Sequence, residues 1–220
     1  MFLRGTPRPC QSGSIKVRNL NDVEFLDYIE YESNFSLISR SDLGIEIFEA
    51  PALDMKLYSS DMIIEHCSIG FMPDIYMLTN DFIVVSGLVK NIIEGADNIN
   101  HQFFPINISG RKEIKYCPLG YYVLHVRRVV AMDDVPEQTF CPGNSVIASP
   151  YSRRERRFFE KVVSISDARD TLEKLFLWKI KRCRATVCLN VPMFSYLEEN
   201  SVSGLWLENK SNSCRVLEYV

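Results

Sequence analysis

The segment that most narrows what this chain can fold into is DFIVVSGLVKNIIEGADNINHQFFPINI, residues 81–108. Phe82-Ile83-Val84-Val85 is a short apolar run rich in β-branched residues and reads as a strand. Ser86 follows, and its hydroxyl can accept a bond from one of the free N–H groups at a helix start. Leu88, Val89, Ile92 and Ile93 then recur at helical spacing, and Gly95 stands where a helix commonly ends. His101–Ile108 returns to strand, with Phe103, Phe104, Ile106 and Ile108 as its apolar surface.

The same grammar comes back late in the chain. Thr186–Leu189 reads as a strand and Asn190 as a cap, while Pro192 falls in the first helical turn, where its missing N–H costs nothing. Phe194 and Leu197 keep helical spacing up to Asn200, and Gly204-Leu205-Trp206-Leu207 reads as the following strand. Asn190 lies 104 positions after Ser86, but the residue identities of the two units barely match. Duplication and independent use of a common unit both remain open.

Around these units the signals are mostly those of strands. Phe35–Ile38 and Ile45–Phe48 read as short strands, Pro51 breaks the pattern, and Phe176–Ile180, which contains Trp178, reads as pairing with Val162–Ile165. Tyr121–Met132, YYVLHVRRVVAM, reads as one central strand that frays at Arg127-Arg128. In Asn21–Asn34, Val23, Leu26 and Ile29 are spaced by three, which fits an amphipathic helix or a strand pair. Residues 1–20 read as a loose lead-in, and residues 21–220 as one domain. The expected fold class is α+β, a sheet-rich single domain with short helices and two strand–helix–strand units.

Apolar residues make up 46% of the 220, enough for a proper core. The N-terminal MFLRGTPRPCQSG has no apolar signal-type region and no long apolar run follows, so a cytoplasmic protein without a membrane span is expected. The seven cysteines form no Cys-x-x-Cys pair, and reduced, mostly buried thiols are expected. Net charge is −3, unevenly divided: residues 1–110 carry 7 Lys/Arg against 15 Asp/Glu, the remainder 18 against 13. An acidic face formed by Glu24, Asp27, Glu30 and Glu32 is the candidate partner-binding surface, set against the plainer reading of a soluble exterior. The basic run Arg153, Arg154, Arg156 and Arg157 reads first as a solvated loop. It has no interleaved aromatics, so nucleic acid is not an expected partner.

Little in the sequence points to catalysis. His66, His101 and His125 are the only histidines, and no Gly-x-Ser-x-Gly elbow offers a nucleophile. Neighbouring strand residues point to opposite faces, which disfavours a His66/Cys67 pair. Metal-ligand spacings and a glycine-rich phosphate cradle are likewise not seen, so no catalytic residue, metal or cofactor is expected.

The order of segments carries a resemblance. Asp74-Ile75-Tyr76, FIVVS with its helix, HQFFPINI, YYVLHVRRVVAMDD, LFLWKIKR and NVPMFSYLEENSVSGLWLEN together resemble the bacterial polymorphic-toxin immunity family numbered eleven, over roughly residues 70–210. Its more informative parts are Phe103-Phe104-Pro105 and the Tyr121…His125-Val126 strand; Gly204 belongs to its terminal strand–helix–Gly–strand unit, and all are read as structural. His125 departs from the Asn usual in that family, and the arginine-rich stretch is particular to this chain. The resemblance implies a protein that binds and neutralises a cognate toxin, without catalytic residues of its own. A basic toxin would suit the acidic first half. The alternatives are a small-molecule-binding or hydrolytic domain using His101 or His125, and a structural or regulatory interaction module.

Overall fold

A computed structural model describes residues 2–3, 14–18, 34–53, 60–65, 71–79, 82–97, 99, 101–110, 115–132, 168–181 and 187–204. Its strands are β1 (Phe2–Leu3), β2 (Ser14–Arg18), β3 (Ser36–Arg40), β4 (Ile45–Glu49), β5 (Ser60–Glu65), β6 (Ile75–Thr79), β7 (Phe82–Ser86), β8 (Gln102–Ser109), β9 (Tyr121–His125), β10 (Arg128–Met132), β11 (Leu177–Ile180) and β12 (Val187–Leu189). The helices are α1 (Gly87–Ala96), α2 (Ala168–Glu173) and α3 (Val191–Glu199). The strands form two six-stranded sheets, ordered β1-β12-β11-β10-β4-β3 and β2-β5-β8-β9-β7-β6. The fold class is α+β and sheet-rich, as the sequence leads one to expect. No helix among the described residues is long and apolar enough to cross a membrane.

Both caps form as their residue types dictate. Ser86 Oγ accepts from Val89 N at 3.4 Å and opens α1. Asn190 Oδ1 accepts from Met193 N at 2.8 Å and opens α3, with Pro192 in the first turn. The Asn190 amide also donates to Glu173 O at 2.8 Å, tying α3 to the end of α2. Gly95 does not end α1. The helix runs on to Ala96 and is capped by Asp97, whose N–H bonds Ile93 O.

The largest correction concerns Tyr121–Met132. This stretch is two strands in two sheets, with Val126-Arg127 as the crossing. β9 lies between β7 and β8, and both pairings are antiparallel. β10 pairs antiparallel with β4 and parallel with β11. The doubled arginine that looks like fraying is therefore the point at which the chain leaves one sheet for the other.

Two further readings change. β11 pairs with β10 on one edge and β12 on the other, so its described partners differ from the expected Val162–Ile165, which lies outside the described residues. Gly204 belongs to the turn after α3 rather than a strand, and Leu205–Leu207 lie outside the described residues. The two strand–helix units also sit differently: β7 and β8 share one sheet with β9 between them, whereas β12 belongs to the other.

One apolar core unites the sheets. Across β7, β9 and β8 the row Ile83–Leu124–Phe103 faces α1 residues Val89, Ile92 and Ile93. The same cluster takes Leu177, Val187 and Leu189 from the other sheet and Met193 and Leu197 from α3. Each such buried aliphatic contributes roughly 1.5–3 kcal/mol. The alternate row Val84–Val123–Phe104 points to the opposite face and is buried too. Adjacent Phe103 and Phe104 thus fill two different layers.

The turn after α3 closes against the start of β6. Ser203 N and Oγ both donate to Asp74 Oδ2, at 3.0 and 2.6 Å, and Ile75 N donates to Ser203 O at 3.1 Å. Gly204 is required here. Its φ is +89°, and a Cβ would lie 2.1 Å from Ile75 O. Replacing Gly204 with Ala is expected to cost about 1–2 kcal/mol from the backbone conformation alone and more from the clash. Urea unfolding measures this, and an unchanged midpoint would refute the docked turn.

Candidate functional site

The chain concentrates its buried polar groups where β9 becomes β10. Successive residues of an extended chain point to opposite sides, so Arg127 and Arg128 diverge. Arg127 reaches the end of β4, donating through Nε to Ala50 O at 3.0 Å and pairing with Glu49 at 2.8 Å. Arg128 turns inward. Its two terminal nitrogens each bond one oxygen of Asp97 at 2.6 Å, and Nη1 also reaches Leu177 O at 3.1 Å. One guanidinium therefore joins β10, β11 and the C-terminal cap of α1.

Asp97 is fully engaged. Besides Arg128 it accepts from Ile99 N at 3.1 Å and contacts His101 Nε2 at 3.3 Å. Burial would raise its pKa, but the bonds to His101, Arg128 and Ile99 outweigh it and hold the carboxyl at about 2. His101 Nδ1 accepts from Arg127 N at 3.1 Å, which leaves the proton on Nε2, facing Asp97. An Asp–His pair is the beginning of a hydrolytic triad, but the second ring nitrogen here meets a backbone N–H instead of a nucleophile's hydroxyl or thiol. The arrangement is a clasp.

A seam of side chains extends the clasp along residues 50–53. Gln102 accepts from Leu53 N at 2.7 Å and donates to Leu53 O at 2.9 Å, reproducing a backbone pair with a side-chain amide. His125 Nε2 lies 3.4 Å from Pro51 O. Burial, reinforced by the charges of Lys179 and Arg127 and opposed by the Pro51 bond, lowers the His125 pKa to about 3.

The other residues singled out from sequence are structural in their placement. Phe103 packs edge-on to Tyr122, with centroids 6.5 Å apart, and Pro105 is exposed just ahead of the β5 ladder, which starts at Ile106. Tyr121 donates to Met72 O at 3.0 Å and accepts from Cys117 N at 3.3 Å, and burial pushes its hydroxyl up to about 12. The structure thus brings His101 and His125 to one seam, far in sequence from Gly204, which holds its own turn. Glu24, Asp27, Glu30, Glu32, His66, Cys67 and the run Arg153–Arg157 all lie outside the described residues. Among the described residues, no group of three or more His, Cys, Asp or Glu could hold a metal ion.

Two surface features were not singled out in the sequence. Among the described residues β3 ends its sheet, and its five residues are all exposed, with Leu37 at 53% and Ile38 at 50%. A cleft of about 590 Å³ opens between α1 and α3. Comparisons with protein-family models, curated proteins and solved structures found no match.

Two measurements test the seam. Arg128→Ala or Asp97→Ala strands a buried charge and is expected to cost about 3–5 kcal/mol, whereas the paired replacement Asp97→Asn with Arg128→Met recovers much of that loss. Additive losses in urea unfolding would show that the two groups do not act as a pair. His125 binds its proton more weakly folded than unfolded, so its contribution is complete above pH 6.5 and is lost as pH falls towards 3. The Asp97 contribution has the same sign but fades only below its ordinary value of 3.8. Between pH 6.5 and 4, stability is thus expected to fall by at most about 1.4 kcal/mol per pH unit through His125. His125→Asn flattens that slope, and an unchanged slope in the variant would assign the titration elsewhere.

Proposed function

We propose that this chain is an immunity-type protein that neutralises a cognate toxin by binding it and covering its surface. The observation that carries this reading is the end strand β3. An edge strand offers unpaired N–H and C=O groups, and natural sheets usually guard such edges with charges, proline or a cover. β3 carries a bulge between Leu37 and Ser39 and one charge, Arg40, which is already paired with Glu46. Its middle is two large exposed aliphatics, and no described strand pairs with its outer edge. Strand addition from a partner would gain main-chain bonds along this edge, with Leu37 and Ile38 seated in the partner's pockets.

Two further points support the reading. The segment order resembles that of the toxin-immunity family, and the seam's Asp97, His101 and Arg128 are committed to internal bonds. A neutralising complex of ordinary size would bury about 1,200–2,000 Å², so β3 would be one part of the contact.

The experiment is co-expression of this chain with the toxin encoded beside it, scored for growth and for co-purification. Growth is expected to be restored and a complex recovered. Leu37→Asp together with Ile38→Asp changes only exposed positions, so folding should shift within about ±0.5 kcal/mol, while complex recovery drops at least about tenfold. Failure of the unaltered chain to rescue growth or to co-purify rejects the reading.

A further inference from the structure

The cleft between α1 and α3 has a form that the fold does not require. Its walls include Leu88 and Ile92 on α1, Pro192 and Tyr196 on α3, and Phe176 ahead of β11. The volume of about 590 Å³ falls within the usual range for a seat that takes a ligand or an anchoring side chain. Tyr196, one of its walls, is 48% exposed, so the apolar surface continues onto the rim.

Gly95 is the residue that the core leaves unexplained. It is the last residue but one of α1, where alanine would be the better helix former. Its φ is not positive, and a Cβ there would meet nothing within 4 Å. Backbone conformation and internal packing would both accept a side chain. The bare backbone lies along the cleft, one helical turn beyond Asn91, and permits another element to approach closely.

The charges near the helix ends give the occupant a sign. Neither α1 nor α3 has a basic residue in its last turn, although a helix C-terminus favours cations. α3 instead ends in Glu198 and Glu199, both exposed and without an ion-pair partner among the described residues. Glu199 follows Tyr196 by three positions and Pro192 by seven, so it continues the cleft-facing side of the helix. On α1, Glu94 is already paired with Lys90 at 2.6 Å, and Lys90 lies over the Phe103 and Tyr122 rings. Among the described residues, the charge left unpaired on this side of α3 is that of Glu199, and it is negative.

We propose that the α1–α3 cleft seats an amphipathic helix of a protein partner, with an apolar side chain in the cleft beside Gly95 and a Lys or Arg at Glu199. The identity of that partner as the toxin rests on the function proposed above, but the chemistry of the seat does not. The shape and the charge select the same occupant: apolar side chains fill the cleft, and a basic flank relieves the Glu199 carboxylate, placed against the helix dipole.

The test uses the full chain and two fluorescent peptides that form amphipathic helices, one of Leu and Lys and the other of Leu and Glu, read by anisotropy. The Leu/Lys peptide is expected to bind at least about tenfold more tightly, a difference of about 1.4 kcal/mol. Gly95→Leu improves helix propensity and fills the seat, so it should keep or raise the unfolding midpoint while weakening the Leu/Lys peptide about tenfold or more. Glu199→Lys should abolish the preference between the peptides. Equal binding of the Leu/Lys peptide to the Gly95→Leu variant and the unaltered chain, or no binding of either peptide, overturns the seat. Toxin rescue reports separately on the proposed function, so either idea can fail alone.

Discussion

The bidentate bond between Arg128 and Asp97 is the interaction around which the two sheets are arranged. Arg128 opens β10, Asp97 caps α1, and the same guanidinium reaches the backbone of β11. Taking both charges out of water is expensive, so the pair adds little net stability over an apolar contact of the same shape. Its effect is on specificity. A slip of one residue in β10 would turn Arg128 outward and Arg127 inward, strand the Asp97 carboxylate, and reverse the face of every apolar side chain on that strand. The crossing is therefore held in one register by electrostatics and by packing together.

The seam explains how a chain with modest helices keeps two six-stranded sheets in one body. Residues 50–53 leave β4 and would carry unsatisfied backbone groups beneath the crossing. Arg127 and Gln102 bond the backbone groups of Ala50 and Leu53, and His125 lies beside Pro51 O. Asp97, His101, Gln102, Arg127 and Arg128 are committed to this task. The places proposed for a partner are the β3 edge, with exposed Leu37 and Ile38, and the α1–α3 cleft. These two places differ in kind, one a backbone edge and the other a side-chain seat.

Much of this fold could be read from short-range chemistry. Ser86 and Asn190 announce helix starts because a side-chain oxygen bonding an N–H three residues on is a local event. The strands around Phe82, Phe103 and Trp178 were visible for the same reason, as dense β-forming runs. The misreadings have equally definite causes. Gly95 looked like a helix end because glycine often is one, but Asp97 supplies the cap with its own N–H. Helix α2 was not read, being only six residues long. Asp97 escaped notice because its value depends on Arg128, 31 positions away. The one available clue was an Arg pair inside an apolar strand, which has to find an anion or leave the core. β3 looked like any short strand, since nothing local says which strand ends a sheet.

By itself the sequence determined the strands around Phe82, Phe103 and Trp178, the two helix caps and the α+β class, because hydrogen-bonding side chains and hydrophobic period act over a few residues. Only the tertiary structure decided that YYVLHVRRVVAM serves two sheets, that His101 and His125 are fastened in a seam, and that Gly95 lines an open cleft. Those outcomes depend on which distant groups meet. An apolar β-forming run carries the same local signal whether its neighbours come from one sheet or from two.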